Sequence, residues 1–252
     1  MKTLKIDCLN VKVFPSRLEM GIAAAKDAAS LIRTLLSQKE EINCVFAAAP
    51  SQNDVLAALV QEELPWERIR AYHMDEYVGL TNTHPASFGQ YLRSHIFSLV
   101  PFKSVHYIAS DTVCPAEELC QAYSRLLAPL TIDIVFMGVG ENGHIAFNDP
   151  GEADIHDTAL VKIVNLDEVC RMQQVHDGCF PNLDAVPRQA VTLTIPMFLR
   201  AGHLINVVPT ALKAPAVKAM LFGEISEACP ASVCRTHPGA TLYLDQDSAS
   251  LL

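Results

Sequence analysis

D-I-V-F-M-G-V-G-E-N-G-H-I-A-F-N-D-P, residues Asp133 to Pro150, is the stretch that decides how this chain folds. Its apolar opening predicts a buried strand over Ile132 to Met137, broken by Gly138 and Gly140. His144 follows directly after Gly143, with Glu141, Asn142, Asn148 and Asp149 crowding both sides. A strand that ends in glycines and then presents a histidine among carboxyl and amide groups is how an open α/β sheet builds a site at its carboxyl edge. Histidine is the side chain whose proton moves most readily near neutral pH.

Working outward, short apolar runs alternate with longer helical patterns. Strands are predicted at Val11 to Phe14, Ile42 to Ala48, Ile69 to Met74, Val105 to Ile108, Leu160 to Val164, Val191 to Leu193, Leu204 to Val208 and Thr241 to Leu244. Ser16 and Glu19 form an S-x-x-E box opening an Ala-rich helix to about Ser37. Further helices are expected over Asn53 to Glu63, Pro85 to Leu99 and Pro115 to Leu127, and one capped by Thr210 runs to Phe222. Asp177 to Pro187 reads as a segment broken by Gly and Pro. This alternation predicts an α/β chain, three layers α/β/α, with a mostly parallel, Rossmann-like sheet forming one domain over residues 1–252. Right-handed crossovers then place the strand-to-helix loops on one edge.

The chain has 252 residues, half of them apolar, and a net charge of −9. That acidity argues against a nucleic-acid surface. It leaves room for an anionic small molecule held by a few local donors. No stretch approaches the roughly 20 apolar residues of a membrane helix, and the N-terminus lacks the apolar core of a signal peptide. The eight cysteines are scattered, without a C-x-x-C pair. They read as reduced thiols of a cytoplasmic protein, not as zinc ligands.

Four loops carry chemistry. After Met74, H-M-D-E-Y-V-G-L sets two adjacent carboxylates, Asp75 and Glu76, at the end of an apolar strand, where burial is costly without a partner. One of them is expected to point into a cleft. His73 and Asp75 as metal ligands lack a third partner at a recognisable spacing, so no metal is expected. After Met137 comes His144, with Asn142 and Asp149 as neighbours able to fix its tautomer. After Ala47, Ala-Ala-Pro-Ser-Gln-Asn53 joins a strand to a helix start, where Ala49, Ser51 and Gln52 and free backbone N–H groups suit a phosphate, although Pro50 offers no N–H. After Val208, the loop supplies Lys213.

H-M-D-E-Y-V-G-L (His73 to Leu80), H-P-A-S-F (His84 to Phe88), G-V-G-E-N-G-H-I-A-F-N-D-P (Gly138 to Pro150), V-P-R-Q-A-V-T-L-T-I (Val186 to Ile195) and P-A-S (Pro230 to Ser232) together resemble the glucosamine-6-phosphate deaminase and 6-phosphogluconolactonase superfamily over nearly the whole chain. The F-N-x-P ending is closer to the deaminase branch. The resemblance implies aldose–ketose isomerisation with loss of ammonia, needing no metal or organic cofactor. It implies Asp75 as the base between C2 and C1 and His144 as the ring-opening group, with Asn142 and Asp149 orienting it. It implies Lys213 and the loop Ala48 to Asn53 as the phosphate site. Glu76 and Gly140 are further candidates for substrate contact.

The chain departs from that pattern. Asn142 stands where the family has Asp, and Asp149 where it has Glu, so one negative charge beside His144 is lost and the other carboxylate is a methylene shorter. Ala48, Ala49 and Pro50 replace a glycine-bearing loop. His176 falls where the deaminases carry a phosphate-binding arginine, with Arg171 close by as a substitute. The expected partner is a small-molecule sugar phosphate, with a homo-oligomer left open. Lactone hydrolysis, with His144 activating water, and a non-catalytic sugar-phosphate sensor are the alternatives.

Overall fold

A computed structural model describes residues 2–109, 113–166, 168–176 and 178–252, leaving aside the side chains of 169, 170 and 173. Asp177, at the start of the segment predicted to be broken, lies outside them. Eleven strands are described: β1 (Lys2–Ile6), β2 (Leu9–Phe14), β3 (Ile42–Phe46), β4 (Ile69–His73), β5 (Asp75–Tyr77), β6 (Ser104–His106), β7 (Ile134–Met137), β8 (Val161–Asn165), β9 (Gln189–Leu193), β10 (His203–Val208) and β11 (Ala240–Asp245). The helices are α1 (Arg17–Gln38), α2 (Asn53–Leu59), α3 (Phe88–Leu92), α4 (Ala116–Leu127), α5 (Glu168–His176), α6 (Ile195–Leu199) and α7 (Ala214–Phe222). No helix among the described residues is long and apolar enough to cross a membrane.

The main sheet runs β1-β2-β11-β10-β7-β3-β4-β6, parallel throughout except for the antiparallel β1–β2 pair. Its strands are apolar on both faces, and successive residues feed two cores. Cys44, Phe46, Ile134, Phe136, Ile205 and Val207 face α1, α2 and α3. Val45, Val135, Met137, Leu204 and Val208 face α4, α6 and α7. A parallel sheet covered on both sides must read this way, because neither face meets water. Phe46 stacks on Phe136 with ring centroids 4.8 Å apart; truncating either ring would cost about 3–5 kcal/mol.

Strand order reverses between β3 and β7. From β3 the chain steps outward to β4 and β6. From β7 it steps the other way, to β10 and then β11. This topological switch point splays the two following loops apart and opens a crevice at the carboxyl edge. A second, antiparallel sheet, β5-β9-β8, sits over that edge.

Several expectations about elements need correction. The helix predicted from Pro85 begins only at Phe88, capped by Ser87, and widens into a π turn over Arg93–Phe97. Thr210 does not cap a helix. Its φ is +79°, its hydroxyl makes no capping bond, and its N–H donates to Asp245 at 3.1 and 3.2 Å. Strands β1 and β5 and helices α5 and α6 were not anticipated. The Ser16 cap holds, with its hydroxyl accepting from the Glu19 N–H at 3.2 Å.

Candidate active site

The loops after β3, β4, β7 and β10 converge on one cavity of about 300 Å³. Its walls bring together Asp75, His144, Gly140, Ala49, Ser51 and Lys213, all anticipated from the sequence, with Arg17 and Tyr91, which were not.

Asp75 occupies the first position of β5, opposite Thr192 of β9. It is 7% exposed, and its carboxyl makes no hydrogen bond or ion pair among the described residues. Burial, and then the neighbouring Glu76 carboxylate, push its pKa well above the usual carboxylate range, because water no longer solvates the anion. The strand pleat sends the next residue the other way. Glu76 turns into the start of α3 and accepts from the N–H groups of Tyr77 (2.9 Å), Phe88 (3.1 Å) and Gly89 (2.9 Å). Burial raises it to about 7 against those three donors. Glu76, a candidate for substrate contact, does not line the cavity; its oxygens hold the start of α3 beside the wall formed by residues 85–88.

His144 sits in a tight loop after β7. The Gly140 N–H donates to the His144 carbonyl at 2.9 Å, and Gly143 takes φ +86°, which favours glycine. A Cβ on Gly140 would lie 2.1 to 2.3 Å from the imidazole ring, so only glycine lets the ring lie there. Nδ1 of His144 is 2.8 Å from Asn142 Oδ1 and 2.9 Å from Asp149 Oδ1. Asn142 Nδ2 donates to that same Asp149 oxygen at 2.8 Å. Two acceptors facing one nitrogen favour the tautomer with its proton on Nδ1, which leaves Nε2 able to accept a proton. Asn142 and Asp149 thus stand behind His144 and do not line the cavity.

Asn148, noted beside His144 in the sequence, and Thr192, which was not, tie the strand of Asp75 to the loop of His144. Asn148, fully buried, donates to the carbonyls of Ile145 (2.9 Å) and Leu193 (2.8 Å). Thr192 accepts from the Phe147 N–H at 3.2 Å. Strand β9 therefore pairs with the strand carrying Asp75 and also pins the loop carrying His144.

The turn after β3 forms another wall. The Ala47 N–H donates to the Phe136 carbonyl at 2.9 Å. Gln52 is not on the wall: it is fully buried, with Nε2 donating to the Val207 carbonyl at 3.2 Å and lying 3.1 Å from Ser51 Oγ. It braces this turn against β10. Lys213 follows the strained Thr210, at the end of the 3-10 turn Ala211–Lys213.

Arg171 and His176 are the largest corrections. Neither lines the cavity. Arg171 is buried, with Nη2 donating to the carbonyls of Leu183 (2.5 Å) and Val186 (3.0 Å), so it staples the segment after α5. His176 ends α5 exposed to solvent. Their neighbour Gln174 reaches the cavity instead. Arg171 and Gln174, three positions apart, share a side of the helix, but the arginine turns away to the carbonyls of Leu183 and Val186, and His176, two positions from Gln174, faces elsewhere. His73, weighed as a metal ligand, accepts from the Ile108 N–H at 2.7 Å, and burial holds its pKa down near 3. Among the described residues no three His, Cys, Asp or Glu groups converge on a metal position.

Residues 15–243 match the family described as glucosamine-6-phosphate isomerases/6-phosphogluconolactonase. The chain belongs to this family. Glucosamine-6-phosphate deaminases of Bacillus cereus strain B4264 and Bacillus thuringiensis strain Al Hakam are each 32% identical over 243 residues, 96% of this chain and 89% of theirs. The fold matches that of a monomeric glucosamine-6-phosphate deaminase (TM-score 0.86, 28% identity, 96% of this chain and 99% of the other). It also matches 6-phosphogluconolactonase from Trypanosoma brucei (TM-score 0.82, 20% identity, full coverage of both chains). The two matched structures therefore share this fold.

Proposed function

We propose that this family member deaminates and isomerises an amino-hexose 6-phosphate, glucosamine 6-phosphate, to a ketose 6-phosphate and ammonia. One observation carries the reading: a buried carboxyl, Asp75, with no hydrogen-bond or ion-pair partner among the described residues, shares a cavity with an imidazole whose Nδ1 faces Asn142 and Asp149. Ser51 and Lys213 line that same cavity. The Bacillus relatives named as deaminases span almost the whole chain.

The chemistry divides among these groups. Ser51, the backbone at Ala49 and Lys213 hold the phosphate, supplying binding energy remote from the reacting carbons. Gly140 lets the His144 ring lie against the loop, and its Nε2 exchanges a proton with the sugar-ring oxygen as the ring opens. The C2 proton now lies α to an aldehyde. Asp75, raised in basicity by burial, removes it and returns it at C1. The resulting C2 imine takes up water and expels ammonia, so one water is consumed for each ammonia released. No step calls for a metal or organic cofactor. Phe88, Phe147 and Met74 line the cavity and keep bulk water from the proton in transit. We place the reaction in the cytoplasm, which the free thiols of Cys8, Cys44, Cys120, Cys229 and Cys234 favour.

The test is ammonia release from glucosamine 6-phosphate by purified protein, with Asp75→Asn beside wild type. Turnover that falls by about a thousandfold or more in the variant is expected for loss of the base at C2. Absent wild-type turnover, or an Asp75→Asn enzyme as fast as wild type, rejects the assignment. Hydrolysis of 6-phosphogluconolactone in its place moves the protein to the lactonase branch.

A further inference from the structure

The cavity wall carries a second cation besides Lys213: Arg17. It opens α1, immediately after the Ser16 cap. Helix α1 lies close against the start of α2 because of Gly21, where a Cβ would come within 2.5 Å of Asp54 Cβ and 2.9 Å of its backbone. That approach lays Arg17 over the turn after β3. Its Nε donates to Asp54 Oδ2 at 2.5 Å and its Nη2 to the Pro50 carbonyl at 2.5 Å. A guanidinium has five N–H donors. Two are used, and those left include both on Nη1. The side chain is 37% exposed and lines the cavity, so the remaining donors are held in place before any ligand arrives.

We propose that Arg17 is the second cationic contact for the substrate phosphate, working with Ser51 and Lys213 on the same wall. The inference rests on the reading of the substrate as a sugar phosphate. A phosphate dianion is best held by more than one charge, and a planar guanidinium offers paired donors that an ammonium does not. Arg171 and His176 do not reach the cavity. Pro50 supplies no N–H to an anion, and its carbonyl instead anchors the arginine. The charge that this turn lacks in donors is thus returned from a different helix.

Two measurements decide it: the Kd for inorganic phosphate, by calorimetry on the whole protein, and steady-state kinetics with glucosamine 6-phosphate. In Arg17→Met, Kd and KM are expected to rise together by about tenfold or more, with kcat within about threefold of wild type. Arg17→Lys is expected to lose less, about threefold to tenfold. Asp54→Asn separates contact from scaffolding. It cuts the ion pair but leaves the guanidinium, so phosphate binding is expected to tighten by about twofold to threefold. If Asp54→Asn weakens phosphate as much as Arg17→Met does, Arg17 is only a brace for the turn and the proposal falls. It falls equally if Arg17→Met and Arg17→Lys bind phosphate as wild type does, or if wild type binds none at millimolar concentration. Phosphate binding that depends on Arg17 in a protein without deaminase turnover would sink the reaction and leave this contact standing.

Discussion

At the scale of single residues, the site depends on what is missing as much as on what is present. Gly140 is the clearest case, because the His144 ring occupies the space of its absent side chain. Gly140→Ala is expected to displace the imidazole and lower kcat by about a hundredfold, with little change in melting temperature. A fully active variant would show that the ring is free to move aside. Asp75 makes a second prediction. In the proposed reaction it acts as a base only when ionised, and burial with the Glu76 charge raises its pKa. The acid limb of kcat/KM is therefore expected above the ordinary carboxylate range, with activity lost as pH falls through it. Glu76→Gln removes the neighbouring charge and moves that limb to lower pH. A limb that stays put would mean that another group controls it.

At the scale of elements, β9 is the part that makes a site out of two separate motifs. Asp75 comes from the strand after β4 and His144 from the loop after β7, and neither segment specifies a distance to the other. Thr192 and Asn148 set it. Thr192→Val keeps the volume and removes the acceptor of the Phe147 N–H. Leaving that buried donor unpaired is expected to cost about 1–3 kcal/mol in urea unfolding and to slow kcat by about tenfold or more through misplacement of the loop. Stability lost without a change in kcat would reduce Thr192 to a packing residue. Elements differ in how legible they were. The central strands announce themselves because both faces are buried. Strand β1 sits on an exposed edge with lysines at Lys2 and Lys5, and β5 begins with two acids, so neither shows a strand pattern. Helix α5 carries Arg171, Gln174 and His176 at spacings that suit a helix. Which of the three faces the cavity depends on its roll against the sheet.

At the scale of the whole molecule, buried ionisable groups tie stability to pH in opposing directions. His73 is held neutral in the fold with a pKa near 3, whereas an unfolded histidine binds its proton below about 6.5. Its contribution is complete above about pH 6.5 and is lost as pH falls toward 3. Glu76, raised to about 7, does the opposite. Its contribution is present below the ordinary carboxylate pKa and is lost as pH rises through about 7. His73→Gln keeps an acceptor for the Ile108 N–H without the titration. The stability advantage of wild type over this variant is expected to shrink by about 1.4 kcal/mol per pH unit between pH 6 and pH 4. A pH-independent difference would show that the ring is not the group being protonated.

The amino-acid order alone determined the layering, the parallel sheet and the crevice at its carboxyl edge. Apolar runs, caps and glycine-ended strands are local signals, and right-handed crossovers leave few ways to assemble them. It also pointed to the four loops that meet at the cavity, with Asp75, His144, Ser51 and Lys213 on them. Only the tertiary structure decided which charged side chains face the cavity. Arg171 turned to backbone carbonyls, Glu76 to the start of a helix, and Arg17, which the S-x-x-E box marks only as the first residue of a helix, came onto the wall. The physical reason is that a side chain's direction depends on helix roll and crossing, and here on Gly21 letting α1 and α2 touch, a contact between residues more than thirty positions apart.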